Sequence, residues 1–285
     1  MPELPEVETI RRGLLPVAGG RRIAAAAARP VLLHGAPIPA PAPLAGARIE
    51  TLVRRGKYLL WLTDAGPALV MHLGMSGRVL VEPPGAAGAR DPAAALKADR
   101  HVHLALVLDD GTLVAFRDPR RFGRLALFPS RAAALASPML ASLGPEPLEE
   151  AFSPAYLHEK LKGGRASIKA RLMDQAVVAG LGNIYVLEAL HLAGIRPTRR
   201  AGRISRAAAA GLVAAVRRVL AEAIAAGGST LKDYRLADGS LGYFQHRFRV
   251  YDRAGRPCTR PGCRGTIRRI VQGGRASYYC PACQR

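Results

Sequence analysis

Cys258-Thr-Arg-Pro-Gly-Cys263, sixteen further residues, and Cys280-Pro-Ala-Cys283 hold all four cysteines of the chain. Two close pairs separated by a hairpin-length spacer make a four-thiolate tetrahedron, the zinc-ribbon arrangement. Each pair fits a tight turn, and the spacer runs out and back as two strands. Pro261 and Gly262 supply one knuckle and Pro281 the other. A disulfide-bonded tail would need an oxidising compartment. The opening Met1-Pro-Glu-Leu-Pro-Glu6 is acidic and proline-rich, with no basic start followed by an apolar run, so no secretory signal is expected. One structural zinc ion, held by Cys258, Cys263, Cys280 and Cys283, is therefore expected.

Outward from the cysteines the chain is basic. From His246 to the end there are ten arginines, one aspartate and no lysine. A metal-stapled hairpin of this charge is suited to gripping a polyphosphate. The whole chain, 285 residues with 42 Lys+Arg against 21 Asp+Glu, carries a formal charge of +21. A surface built for solubility mixes both signs, so this excess points to nucleic acid or another anionic partner. With 49% apolar residues the chain has material for more than one core. No stretch approaches the apolar length of a membrane span.

Toward the other end, Glu6 to Leu15 places acids before Arg11-Arg12, with Pro5 near the start, the charge order of a short helix closed by Gly19-Gly20. From 21 to about 128, short apolar runs are separated by Gly, Pro and Asp. They include Tyr58-Leu-Leu-Trp-Leu62, Ala68-Leu-Val-Met-His-Leu73, Val102-His-Leu-Ala-Leu-Val-Leu108 and Leu113-Val-Ala-Phe116. Asp109-Asp-Gly111 is a hairpin signal, and the spacing predicts a β-sandwich. Residues 82–98, rich in Pro, Gly and Ala, read as a mobile loop. Leu143-Gly-Pro-Glu-Pro147 reads as linker, and after it the period is helical: a helix from Ser153-Pro154, then 168–175, 183–193 and 205–226. Gly180-Leu-Gly-Asn183 feeds the third of these, and the free amides of such a turn suit an anion.

Six strings now stand in order. They are Pro2-Glu-Leu-Pro-Glu-Val-Glu8, Gly56-Lys-Tyr-Leu59, His72-Leu-Gly-Met-Ser-Gly77, Asp118-Pro-Arg-Arg-Phe-Gly123, Leu172-Met-Asp-Gln…Gly180-Leu-Gly-Asn-Ile-Tyr185 and Gly239-Ser-Leu-Gly-Tyr-Phe244. Together with the cysteine tail the set closely resembles the bacterial formamidopyrimidine-DNA glycosylases, from residue 2 to Cys283. Each string is weak by itself; their order is specific. The resemblance implies an α+β multidomain protein: an N-terminal β-sandwich domain with its helix (2–133), a linker (134–149), a helical helix-two-turn-helix domain (150–245) and a C-terminal zinc finger (246–285). It implies excision of oxidised purines from double-stranded DNA, followed by strand cleavage at the abasic site, by a monomer in the bacterial cytoplasm.

The resemblance also assigns residues. Pro2 is the implied nucleophile once Met1 is removed, which a small second residue favours. An α-amino group ionises at about 7.7–8.0 against about 10.4 for lysine, so more of it is nucleophilic near neutrality. Its iminium is an electron sink for elimination. Glu3 is the implied general acid, and Glu6 helps position the amine. Lys57, Asn183 and Arg275 resemble phosphate contacts, Lys57 and Arg275 also assisting elimination. Met75, Arg120 and Phe122 resemble the residues that fill the hole left by a base turned out of the stack. Glu188 and the loop 237–244 resemble the lesion pocket.

Three departures accompany this. The family's His-x-His pair becomes Asp99-Arg-His101, which keeps His101 as a DNA contact and offers Arg100 for the other. The lysine cluster before Ile168 is thinned to Lys162-Gly-Gly-Arg165, leaving Arg165 as the expected phosphate contact. The first cysteine pair has four intervening residues, and a longer knuckle still closes a zinc site. Leu4 and Val7 favour the purine enzyme over its pyrimidine-directed sister, endonuclease VIII. A catalytically dead relative would be expected to lack Pro2, Glu3 or Lys57. A zinc-ribbon factor of transcription or the ribosome would leave Pro2-Glu3 and Asp118-Pro-Arg-Arg-Phe122 idle.

Overall fold

The acidic start folds as helix α1, Leu4–Ala18, two residues ahead of the expected Glu6. The cause is Glu6 itself. At the third helical position its Oε2 accepts the Glu3 N–H at 2.8 Å, so Glu3 becomes the cap and the helix begins at Leu4. The computed structural model describes residues 2–84, 91–229 and 242–285. The chain divides into Met1–Ala141 with Gly227–Gly242, and Ser142–Ala226 with Tyr243–Arg285.

In the first unit α1 is followed by β1 (Ile23–Ala28), the short pair β2 (Leu32–Leu33) and β3 (Ala36–Pro37), β4 (Ile49–Arg55), β5 (Tyr58–Thr63), β6 (Ala68–His72) and β7 (Arg78–Glu82). Then come α2 (Pro92–Ala98), β8 (Val102–Leu108), β9 (Leu113–Arg117) and β10 (Arg124–Phe128). Two four-stranded antiparallel sheets form, in the orders β1-β8-β9-β7 and β10-β6-β5-β4. Leu52, Trp61, Leu69 and Met71 of one sheet share a core with Leu104, Leu106 and Phe116 of the other and with Val7, Ile10 and Leu14 of α1. This is the expected sandwich. The hairpin at Asp109-Asp-Gly111 also forms, with Gly111 at φ 84° and Asp110 Oδ1 accepting the Thr112 N–H.

The loop expected over 82–98 is corrected at its end. Asp91 caps the N–H of Ala93, Pro92 takes the first helical position, and α2 follows. Helix α2 covers the outer face of β8, where Ala95 and Leu96 meet Ala105, Val107 and Leu113. That is why β8 is buried along its whole length rather than alternating. Two short helices, α3 (Arg131–Ala136) and α4 (Pro138–Ala141), occupy part of the stretch read as linker. The division between the units, after Ala141, falls inside it.

The second unit contains α5 (Pro154–Leu161), α6 (Ile168–Met173), α7 (Asn183–Leu192), α8 (Arg206–Ala225), β11 (Arg268–Gln272) and β12 (Arg275–Tyr279). Ser153, Ser167 and Ser205 each cap a helix through a side-chain oxygen. Helix α7 is buried on nearly every side because α6, α8 and β12 all pack on it. Leu187 of α7 joins Val250, Ile267, Tyr278 and Cys280 in one small core. Helices and cysteine hairpin thus share a unit, although the sequence divides them near 246.

Candidate active site and metal centre

The first unit assembles a buried polar corner at the start of α1. Pro2 is buried, Glu3 is 3% exposed and Glu6 1%. The Glu6 carboxylate spans two backbone donors, Glu3 N–H through Oε2 and Ser229 N–H through Oε1, each at 2.8 Å. Gly228, at φ 78°, lets this approach happen: a Cβ there would stand 2.9 Å from Glu6 Oε1.

Lys57, 7% exposed, sits in the two-residue turn between β4 and β5, with Gly56 ahead of it at φ 57°. Arg54 ties this turn to α1. Its Nε donates to Glu8 at 3.2 Å and its Nη1 to the Gly56 carbonyl at 3.2 Å. Glu8 also accepts from Arg11 and Arg12. Burial opposes ionisation of Glu8, but the hydrogen bonds from Arg11 and Arg12 and the charges of Arg11 and Arg54 hold its carboxyl at about 2.

Met75 and Phe122 are 39% and 41% exposed, on neighbouring loops. Cross-strand partners His72 and Arg124 set this: the loop leaving β6 and the loop entering β10 emerge side by side. Asp118, fully buried, latches them. Its Oδ1 accepts the Ser76 hydroxyl at 2.5 Å and its Oδ2 the Gly123 N–H at 2.7 Å, while Ser76 Oγ accepts the Arg120 N–H at 3.2 Å. At Gly74 a Cβ would lie 2.3 Å from the Phe122 backbone, so only glycine allows the approach. The Arg120 guanidinium stands over the Phe122 ring at 4.9 Å. Both loops border an open cavity of about 470 Å³ lined also by His34, Tyr58, His72 and Arg124.

His72 is a residue the sequence reading passed over. Burial, then the charges of Lys57 and Arg124, push it down to about 4, so it is neutral near neutrality. Its Nδ1 accepts the Gly74 N–H at 3.0 Å, which leaves the proton on Nε2. The signal available was a histidine ending an apolar strand directly before Gly-Met. Asp99, at the place of the family's first histidine, is committed to Arg117 at 2.6 Å and to the His101 N–H at 2.8 Å. Arg100 remains exposed beside His101, its Nε 3.4 Å from His101 Nε2.

In the second unit three polar side chains converge on β12. Gly273 and Gly274, both at positive φ, form the two-residue turn that puts Arg275 beside its tip, exposed, its side chain without a hydrogen bond or ion pair among the described residues. Asn183 is the first residue of α7 rather than its cap, and its Nδ2 donates to the Ala276 carbonyl at 3.0 Å. Lys169, which the sequence reading did not select, donates from Nζ to the buried Ser277 hydroxyl at 2.6 Å. Burial and then the Arg275 charge push Lys169 down to about 8. Arg165 is exposed in the turn between α5 and α6 and makes no hydrogen bond or ion pair among the described residues.

Glu188 is a correction. It is fully buried, and its two oxygens accept the N–H groups of Arg249, Val250 and Tyr251 at 2.9 Å each. It anchors the start of the finger to α7 and has no face left for a lesion. Residues 237–241 of the expected lesion loop lie outside the described residues; Phe244 packs on Tyr185 with ring centroids 5.7 Å apart.

The four cysteine sulfurs lie within 4.8 Å of one another, with Cys258–Cys283 at 3.7 Å and Cys263–Cys280 at 3.6 Å. These are no disulfide distances. They match the edge of a tetrahedron with Zn–S bonds of about 2.3 Å, which is about 3.8 Å. Burial, then the neighbouring sulfurs, pushes the Cys283 thiol well up, a penalty that a central cation reverses. The residues present fit one structural zinc ion held by four thiolates. His191, buried in the last turn of α7, places Nε2 3.3 Å from Cys258 Sγ.

Comparison with known proteins agrees with this architecture. Residues 1–125 match the formamidopyrimidine-DNA glycosylase N-terminal domain, 143–235 its H2TH domain, and 255–285 the zinc finger found in FPG and IleRS. The formamidopyrimidine-DNA glycosylase of Cereibacter sphaeroides is 54% identical over 293 residues, covering 100% of both chains. That of Dinoroseobacter shibae is 54% identical over 286 residues, again covering 100% of both. Among solved structures, the MutM (FPG) protein of Thermus thermophilus superposes with a TM-score of 0.84 at 42% identity, covering 99% of this chain and 98% of that one. A Lactococcus lactis FPG variant in complex with a Fapy-dG containing DNA superposes with a TM-score of 0.85 at 33% identity, covering 100% of both.

A β-sandwich with a buried acidic N-terminus, a helical unit and a four-cysteine finger, in this order, define a DNA glycosylase of base-excision repair. The chain belongs to the formamidopyrimidine-DNA glycosylase family.

Proposed function

We propose that this enzyme removes oxidised purines, 8-oxoguanine and formamidopyrimidines, from double-stranded DNA and then cuts the strand at the abasic site. With Met1 gone, the Pro2 amine attacks C1′ of the damaged nucleotide. The glycosidic bond breaks, and Glu3 gives its proton to the deoxyribose ring oxygen or the departing base. The resulting C1′ iminium draws electrons from C2′ after proton loss there, expelling the 3′ phosphate and then the 5′ phosphate. Hydrolysis of the iminium returns the amine. Lys57 and Arg275 hold and neutralise the leaving phosphates, and Asn183, Arg165 and His101 bind backbone. Met75, Arg120 and Phe122 enter the gap left by the everted base. The catalytic sandwich spans 2–133 and the DNA-binding helices 150–245, with the finger following from 246, and the enzyme acts as a monomer in the bacterial cytoplasm. No helix among the described residues is long and apolar enough to cross a membrane.

The observation carrying this reading is the pair of buried carboxylates beside Pro2. Burying Glu3 and Glu6 is costly, and a plain helix start would leave them in water. Borohydride trapping on a duplex carrying 8-oxoguanine tests it. Protein lacking Met1 should form a stable crosslink, and protein retaining Met1, or carrying Pro2→Gly, should trap much less. Equal trapping with a blocked terminus would make a lysine the nucleophile. Thymine glycol duplexes tried in parallel separate this enzyme from the pyrimidine-directed sister.

A further inference from the structure

The first zinc knuckle is held from outside the finger by the last turn of α7. Arg260, two residues after Cys258, donates through Nη2 to the carbonyls of His191 and, at 3.1 Å, Leu192. These are end-of-helix acceptors, that of His191 also taking the Gly194 N–H at 3.0 Å, and a guanidinium suits them. The second knuckle docks on the residues just beyond. Gln284 takes the Cys280 N–H through Oε1 and donates through Nε2 to the Ile195 carbonyl, both at 2.8 Å. Arg285 exchanges backbone hydrogen bonds with Gly194 and Arg196 at 3.0 Å.

At the centre of this contact lies His191, 2% exposed on a helix whose other buried residues are apolar apart from Tyr185 and Glu188. A buried imidazole without a partner is costly, and an aliphatic side chain would avoid that cost. The Nδ1 of His191 has no partner among the described residues. Its Nε2 meets Cys258 Sγ at 3.3 Å. A zinc-bound thiolate has no proton to give, so the hydrogen in this contact belongs to Nε2.

We propose that His191 is a positioning residue of the metal centre, whose Nε2–H hydrogen bond to Cys258 withdraws charge from that thiolate and fixes it on the zinc. Four thiolates on one divalent ion leave a net charge of −2 in a half-buried site, and donors to sulfur offset it. Cys263 receives such a donor from the Gly265 backbone at 3.4 Å, inside its own knuckle. Cys258 receives its donor from α7. Arg260 lies within the four residues between the first pair, so its bonds to the end of α7 stand beside the contact of Cys258 with His191.

The proposal rests on the four-thiolate zinc site, and the experiment separates the two. Zinc is measured in purified full-length protein, then its transfer to a chromogenic chelator is followed for the native enzyme, His191→Phe and His191→Gln. The glutamine can donate to sulfur and the phenylalanine cannot. Loss of an outer-shell partner typically lowers metal affinity about 10–100-fold. His191→Phe should release zinc faster by that order, with His191→Gln close to the native rate. Cobalt-substituted His191→Phe should show its sulfur-to-metal absorption shifted to lower energy, which a packing defect alone does not produce. If the phenylalanine variant does not fold, the native protein still decides. With nitrogen-labelled histidine and a spin-active cadmium isotope, the His191 Nε2 proton should couple to the metal. Native protein without zinc would overturn the site itself. Zinc-loaded protein with equal release and absorption in all three forms, or an Nε2 without a proton, would overturn the role of His191 alone.

Discussion

At the scale of single residues, Glu3 and Arg120 make separable contributions. In the proposed mechanism Glu3 serves the departure of the base, whereas a preformed abasic site has no base to lose. Glu3→Gln should therefore abolish 8-oxoguanine excision and keep part of the cleavage of abasic duplexes, measured on the two substrates side by side. Arg120 offers planar donors suited to the acceptor edge of cytosine, and its stacking on Phe122 already orders it. The native enzyme should excise 8-oxoguanine faster opposite cytosine than opposite adenine. Arg120→Ala should slow excision opposite cytosine and flatten that ratio in single-turnover assays; an unchanged ratio would leave Arg120 a backbone contact and pass the role to Arg121. The side chains named here were legible because they stand in ordered strings. Glu188 was misread for the reason that hid Lys169 and His191. Each is a polar residue in a helix, and a helical period says which face is buried but not which distant backbone or sulfur waits there.

At the scale of elements, the loops after β6 and β9 behave as one body because Asp118 holds Ser76 on one and Gly123 on the other. Removing the carboxylate leaves the Ser76 hydroxyl and the Gly123 N–H buried without an acceptor, a loss of about 2–4 kcal/mol. Asp118→Ala should lower the unfolding midpoint accordingly. Its excision rate should fall more on a fully stacked duplex than on one whose lesion lies in an already unstacked site, because a loosened Met75–Arg120–Phe122 group is then asked to do less. Equal losses on both would separate the latch from base eversion. The sandwich strands were readable from their length and spacing, and the β8–β9 hairpin from Asp-Asp-Gly. Helix α2 was not, because alanine-rich text gives no apolar period and its start depends on a single Asp-Pro pair. The docking of finger on helix was equally hidden, since Leu187 and Tyr278 meet only in three dimensions.

At the scale of the whole molecule, charge and metal set the behaviour in solution. A partner-independent positive charge of +21 makes DNA affinity fall steeply with salt, by about 0.9 log units per tenfold salt for each phosphate neutralised. Removing zinc, by chelation or by Cys280→Ser, should unfold the finger and sharply weaken DNA binding, since the metal supplies most of its folding energy. Glu8 adds an acid limit. Its folded-state ionisation near 2 lies below the ordinary value, so its stabilising effect is complete above about 4.5 and fades as pH falls toward 2. Glu8→Gln should lower stability near neutrality, by up to about 3 kcal/mol, and shrink the loss on acidification between those values. The burial of Pro2 reaches further, into how the enzyme is made. If the Pro2 amine is the nucleophile, Met1 has to be removed first, and a peptide bond next to a buried residue is easier to reach before folding than after it. A chain that folds first would then keep its methionine and lack the free amine. In cells making the protein too fast, such silent copies would occupy damaged sites, and the fraction active in a preparation would read out the pace of its synthesis.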